Sequence, residues 1–449
     1  MAPNPKKKYP RLVSALIETF GFNPTVATVL VLLMAAIAAI AIIWFMRSAP
    51  PRTLVITSGP PGSSFQRYAD AYAEILAKNG VTLRVLPSQG SLENLQRLWS
   101  GKRDVDIGFS VGGISEGIDL GDLESLGSVA HQPLWVFHRS AKAITSLSDL
   151  AGRRIAVGAL GSGARSIAHT LLQANGITDR QATFLDLEAE AAATALQEGK
   201  LDAVFLMGDS APIQTLQTLL HSPEIQLYSF TQADAYVRLH TFLDRIELPQ
   251  GSVDLGRNLP AQDVVLVGPT VELIALNGLH PALCDLLIEV AKEVHGKASV
   301  LQKRGEFPAP LEHEFTLSED ARRYYKAGKG FIARAVGGSF WLASLTNRIL
   351  LVFVPALLVL IPAVRFLPFA YRWCIQLRLI KCYRPLLLLE RDVAGPLTRE
   401  QSQEMLKRLD EIEEAVNHLT VPASFADQFY VLRVHVAFVR ERLNSTTRV

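Results

Sequence analysis

Cysteine is nearly missing from this chain, with three in 449 residues, at Cys284, Cys374 and Cys382. The long stretch between its two apolar segments holds Cys284 alone, so no disulfide can close within it and a packed core must stabilise it. An excess of one charge is missing too. With 45 Lys and Arg against 43 Asp and Glu, and no basic run beyond Lys6-Lys7-Lys8, nothing marks a nucleic-acid partner. Metal-ligand spacing is absent: His131 and His138 lack a ligating partner at i+3 or i+4 and read as ordinary residues of a strand region. No G-x-S-x-G elbow gives the many serines a nucleophile's setting. Without a nucleophile, an acid-base pair or a metal cluster the chain does not read as an enzyme, and it calls for no cofactor.

The chain does have apolar length. Thr25 to Met46 is uncharged and long enough to cross a hydrocarbon core of about 30 Å as a helix. A cleaved signal peptide is the competing reading, but its apolar region usually runs about 7 to 15 residues and ends in a small-x-small site, which this run lacks. A second apolar run, Ile349 to Val364, is interrupted by Pro355 and Pro362 and extended by apolar flanks to 346–370. Lys6, Lys7, Lys8 and Arg11 precede the first run, and Arg365, Arg372, Arg378, Lys381 and Arg384 follow the second. Basic flanks stay in the cytoplasm, so the expectation is a two-pass protein of a bacterial inner membrane, with both termini cytoplasmic and the centre periplasmic. The expected order is a basic N-terminus (1–24), a span (25–46), a first lobe (52–138), a second lobe (139–262), a return to the first lobe with a linker (263–334), a second span (346–370) and a helical tail (371–449).

The exported segment alternates short apolar runs with helix-length patterns. Thr53 to Ser58, Val81 to Ser88 and Val105 to Ser110 read as strands separated by helices from Ser64 and Ser91. The same syntax restarts at Arg153 to Gly158, Ala182 to Leu187 and Leu201 to Gly208, and a later run, Asp263 to Gly268, leads to a helix from about His280 to His295. This order implies α/β lobes with parallel sheets and ligand-ready loops at the carboxyl ends of strands.

Three loops place small polar residues at a helix start: Ser58 to Ser64, Ser88 to Ser91, and Gly158 to Ala164. Helix starts carry free N–H groups and partial positive charge, so together they read as an anion-binding cleft. The plainer reading of Ser63, Ser91 and Ser162 is that each only caps its helix. Gly161-Ser162-Gly163, with Asp186 further on, is a partial dinucleotide fingerprint whose third glycine is replaced by Ser166, a weak signal. Arg165 either pairs with a ligand carboxylate or faces water.

Four stretches carry a resemblance: Ile56 to Leu76, Val85 to Ser110, Ser146 to Ile177 and Leu196 to Gly208, with Gly90-Ser91-x-Glu93-Asn94-Leu95 and Leu150 through Gly163 the most specific. Their order resembles the TAXI family of solute-binding proteins, the extracytoplasmic receptors of TRAP transporters, and in particular its membrane-anchored subgroup. The resemblance implies a two-lobe periplasmic-binding fold, type II-like, that closes on a small carboxylate such as an amino acid, dicarboxylate or 2-oxo acid. Carried over by position, the ligand-binding residues would be Gly62, Ser63, Ser64 and Phe65, then Gly90, Ser91 and Asn94, then Gly161, Ser162, Gly163 and Arg165. Two departures stand out: Gln66 follows Phe65 where the family usually has an aromatic pair, and Ala164 follows Gly163 where a threonine is common. The implied partners are a small carboxylate ligand, TRAP transporter membrane subunits and the lipid bilayer.

In the tail, Met405, Leu409, Ile412, Val416 and Leu419 recur at helix-packing spacing, and after Pro422 so do Phe425, Phe429, Leu432, Val436, Val439 and Leu443. The expectation is a C-terminal α-helical hairpin, continued from a helix around Trp373 to Arg391. The reading is a membrane-anchored solute-binding protein serving a transporter. The alternative is a periplasmic sensor signalling through its spans and tail.

Overall fold

A computed structural model describes residues 9–20, 24–100, 104–115, 120–139, 144–329, 340–393, 399–419, 421 and 425–446. The basic triplet at 6–8, the linker's end at 330–334 and the helix break at Pro422 lie outside the described residues. The chain divides into two compact units, Met1–Ser48 with Arg348–Val449, and Ala49–Asn347.

The first unit opens with α1 (Arg11–Phe20) and α2 (Pro24–Arg47). Within α2, Ala27–Arg47 is, among the described residues, the one segment long and apolar enough to cross a membrane.

The second unit runs β1 (Thr53–Thr57), α3 (Ser64–Lys78), β2 (Thr82–Leu86), α4 (Ser91–Trp99), β3 (Ile107–Val111), β4 (Leu123–His131), β5 (Leu134–His138) and β6 (Arg154–Ala156). It continues with α5 (Gly163–Ala174), β7 (Thr183–Leu185), α6 (Ala189–Gln197), β8 (Ala203–Met207), α7 (Ile213–Leu220), β9 (Gln226–Leu227), α8 (Ala233–Leu239), β10 (Leu243–Leu248), β11 (Val264–Leu276), α9 (Pro281–His295) and α10 (Glu319–Ala327). One sheet has the order β10-β11-β3-β1-β2, with β4 paired to β11, and the other β7-β6-β8-β5-β9.

The parallel expectation holds for β2-β1-β3 and for β7-β6-β8. Around these cores the sheets are mixed. β11 runs antiparallel to β3, β4 and β10, and β5 antiparallel to β8 and β9. The chain crosses from the first sheet to the second at Gln132-Pro133 and re-enters the first with β10; β11 then turns back against β10 and also runs against β3 and β4. At the crossing the Gln132 N–H donates to Pro269 O (2.8 Å).

Local chemistry explains the elements that carry the loops. Ser63 caps α3 by accepting from Gln66 N (3.2 Å), a bond typically worth about 1 kcal/mol. Phe65, Ala69, Tyr72 and Leu76 then recur on one helical face and are fully buried. That face meets Phe109 of β3, whose ring centroid lies 5.5 Å from Phe65 and 5.4 Å from Tyr72.

The chain then enters α11 (Phe340–Val393), followed by α12 (Arg399–Asn417) and α13 (Ala426–Thr446). The sequence separates a span at 346–370 from a helix at Trp373 to Arg391; the structure makes them one helix through Pro355, Pro362, Pro368 and Pro385. A proline removes one ladder bond and crowds one carbonyl, which bends a helix with strong flanks rather than ending it. Leu386, Leu389 and Val393 of α11, Leu409 and Val416 of α12, and Leu432, Val436, Val439 and Leu443 of α13 share one buried cluster. α12 and α13 run antiparallel: Arg433 Nη2 donates to Asn417 Oδ1 (2.8 Å), and Arg440 reaches back to Glu413 (2.5 Å) and Asp410.

Candidate functional site

The strand-end loops of the two sheets converge. From the first sheet come the loop after β1, carrying Gly62 to Ser64, and the loop after β2, carrying Ser88 to Gly90; from the second come the loop after β6, carrying Gly158 to Ser162, and the loop after β8, carrying Gly208 to Pro212. Bonds join them directly. Ser64 N (2.8 Å) and Ser64 Oγ (2.7 Å) both donate to Gly208 O, Glu93 N donates to Gly161 O (3.0 Å), and Ile213 N donates to Gly62 O (3.4 Å).

At the centre is Asp209, fully buried. Its Oδ2 accepts from Gly163 N (2.6 Å), the first residue of α5, and from Ser91 N (3.2 Å), the first residue of α4. Its Oδ1 accepts from Ser210 Oγ (2.9 Å). Both oxygens act as acceptors, the bonding pattern of an ionised carboxylate. Two helix starts and their N–H groups therefore face one internal anion. Burial pushes the Asp209 carboxyl above its usual range, while the Gly163 and Ser91 N–H groups and the Ser210 and Ser91 hydroxyls pull it back. Gln132, its amide oxygen turned to the loop, accepts from the N–H groups of Gly208 (2.5 Å) and Asp209 (3.0 Å).

Two glycines make room for this carboxylate. A Cβ on Gly163 would lie 2.8 Å from Asp209 Oδ2, and one on Gly90 2.7 Å from it. Gly90 also has φ of 129°, which side-chain-bearing residues rarely adopt.

Several other residues expected at the ligand use their polarity inside the fold. Asn94, fully buried, accepts from Thr57 Oγ1 (2.6 Å) and donates to Ser58 O (2.6 Å) and Phe109 O (2.8 Å). Ser162 donates to Ala159 O (2.7 Å) and caps α5 by accepting from Arg165 N (3.2 Å). Phe65 is a core residue with no exposed surface. Arg165 pairs with Asp186 (2.7 Å), each about one-third exposed, a pair worth at most about 1 kcal/mol.

Sequence reasoning missed Asp209, whose loop stands after β8 as the three recognised loops stand after their strands. An acid among loops chosen for holding an anion was the available signal.

Beside this knot of loops lies a cavity of about 480 Å³ whose wall includes Pro60, Ser88, Glu93, Arg97, Glu188, Glu190 and Ser210. Its cation, Arg97, is paired with Glu93 (2.5 Å) and also donates to Pro87 O (2.9 Å). Glu93 and Arg97 offset each other, so the net negative charge of the wall comes from Glu188 and Glu190.

A sequence model described as the NMT1-like family matches residues 56–243, from within β1 to the start of β10. Among solved structures the chain is similar to the periplasmic aliphatic sulphonate-binding protein SsuA from Escherichia coli (14% identity, TM-score 0.34, covering 66% of this chain and 84% of that one). It is also similar to the substrate-binding protein of an amino acid ABC transporter (14%, TM-score 0.34, 54% and 92%) and to lipoprotein Tp32 from Treponema pallidum (16%, TM-score 0.32, 55% and 91%). Scores this low leave the two-sheet fold resting on the strand pairing described above.

Proposed function

We propose that this is a membrane-anchored extracytoplasmic solute-binding protein whose 52–334 segment captures a small organic solute and presents it to a membrane transporter of the TRAP type. The observation that carries the reading is the meeting of strand-end loops from two sheets around one cavity, the usual place for ligands in α/β proteins. Capture comes from the polar wall of that cavity, and closure of one sheet's loops on the other's stabilises the state the membrane partner recognises. α2 supplies the anchor; the second crossing, with both termini in the cytoplasm, rests on the apolar sequence of 346–370 and its basic flank. The carboxylate-headed solute implied by the family resemblance finds two of its expected donors, Ser91 N and Gly163 N, already engaged by Asp209.

A second reading, a sensor, is favoured by one feature: α11 carries the chain unbroken from the solute-binding unit into the tail.

The test is thermal unfolding of the full detergent-solubilised chain against amino acids, polyamines, dicarboxylates and 2-oxo acids. A true solute at 100-fold excess over its Kd adds about 2.7 kcal/mol and a clear rise in Tm. A folded chain that no class of solute stabilises would count against the reading.

A further inference from the structure

We propose that Asp209 is a specificity-determining residue: it supplies, from within the protein, the carboxylate that the starts of α4 and α5 would otherwise take from a solute, so the cleft selects solutes without an anionic head group. The inference rests on the solute-binding reading and names the class of solute.

The argument starts from occupancy. Asp209 Oδ2 sits 2.6 Å from Gly163 N and 3.2 Å from Ser91 N, and Ser210 Oγ holds the other oxygen at 2.9 Å. The position is built for this group: Gly90 and Gly163 lack the Cβ that would strike Oδ2, and Gln132 fixes the peptide that carries it. A solute carboxylate would have to displace a tethered one. The tethered group meets its donors at high effective concentration without losing translational freedom, whereas the solute pays that loss in full. If both stayed, two carboxylates would share one buried site, which repulsion and desolvation oppose.

The cavity next to this knot points the same way. Ser210, which holds Asp209, is part of its wall, together with Glu93, Glu188 and Glu190, while Arg97 is already paired with Glu93. Glu188 and Glu190 stand at the start of α6, where the helix favours negative charge. A wall of this sign attracts an ammonium-bearing solute, admits a neutral one and repels an anion.

The test uses the full detergent-solubilised chain in two arms. In the first, the wild type is unfolded in the presence of putrescine, 4-aminobutyrate or succinate, three solutes with the same four-carbon backbone and an increasing number of carboxylates. The expected order of stabilisation is putrescine, then 4-aminobutyrate, with none from succinate. In the second, Asp209→Ala is unfolded in sodium acetate against sodium chloride of equal ionic strength. Freed donors should bind acetate saturably, raising the folding equilibrium of the variant about 100-fold at 100-fold excess over Kd, with no such gain in the wild type or in Asp209→Asn, whose amide oxygen still fills the position.

Saturable binding of succinate to the wild type would overturn the inference while leaving the solute-binding reading in place. Acetate stabilising wild type and Asp209→Ala alike would also overturn it, because the donors would then be open despite Asp209. A wild type indifferent to all three solutes would count against the solute-binding reading, and the acetate arm would then decide the role of Asp209. If Asp209→Ala does not fold, the wild-type order decides.

Discussion

Glu272 on β11 stands directly opposite Ser110 on β3, and both are fully buried. Burial pushes the Glu272 carboxyl from its ordinary 4.5 up to about 8; the Ser125 hydroxyl pulls it down and nearby Glu314 pushes it further up. A carboxyl whose pKa is higher in the folded state binds its proton more tightly there. Its contribution to stability is therefore full at acid pH and lost as pH rises through the window from 4.5 to about 8. The loss is of the order of a few kcal/mol. Glu272→Gln keeps the shape and removes this titration, so the urea-unfolding stability of the variant relative to the wild type should climb steadily as pH rises across that window. Parallel curves for the two proteins would refute this.

His295, at the end of α9, gives the opposite slope. Its ring lies edge-on to Tyr68 (4.6 Å) and Tyr72 (5.7 Å), and burial lowers its pKa from 6.5 to about 3. The folded state disfavours the imidazolium, so the contribution of this ring to stability is complete above pH 6.5 and lost as pH falls toward 3. His295→Phe preserves an aromatic ring in that contact and should flatten the acid limb of the pH–Tm curve. If the acid limb of the variant matches the wild type, the titrating group is elsewhere.

Asn94 ties α4 to β1 and β3 through three hydrogen bonds. Asn94→Ala leaves the Ser58 and Phe109 carbonyls and the Thr57 hydroxyl without this partner, at a cost of about 2–4 kcal/mol. The expected result is a lower denaturation midpoint with an unchanged urea m-value, because the fold is the same. A loss of solute binding at temperatures where the variant is fully folded would instead place Asn94 at the ligand.

The elements that were legible in the sequence are those with a local signature. Ser63 and Ser162 announce the starts of α3 and α5 because capping is local chemistry, and the buried face of α3 follows from the spacing of Phe65, Ala69, Tyr72 and Leu76. β5, LWVFH, is buried at every residue and lacks the period that marks a strand. β11 pairs not only with the preceding β10 but also with β3 and β4, both distant in sequence, and its direction against those two has no local cause. The site divides the same way. The sequence supplies three of the converging loops, but Asp209 bonds Ser91 and Gly163 across 118 and 46 residues, and such a pairing exists only once the fold does. Arg165 illustrates the limit: its sequence position fits a ligand contact, and its partner is Asp186, brought beside it by β7.

Leu432 offers a test between anchored receptor and sensor. It is fully buried in the cluster that α13 shares with α11 and α12, and a charge placed there has no partner, so Leu432→Asp should disrupt the packing by several kcal/mol. The chain forms two compact units, Met1–Ser48 with Arg348–Val449, and Ala49–Asn347, so calorimetry should resolve two transitions. For a receptor the tail is an independent module, and Leu432→Asp lowers one transition and leaves the other, with its solute-induced shift, in place. A sensor must pass free energy between solute site and tail, and that coupling is reciprocal: whatever solute binding does to the tail, the state of the tail does to solute affinity. Movement of both transitions, or a changed solute affinity in Leu432→Asp, would therefore favour the sensor.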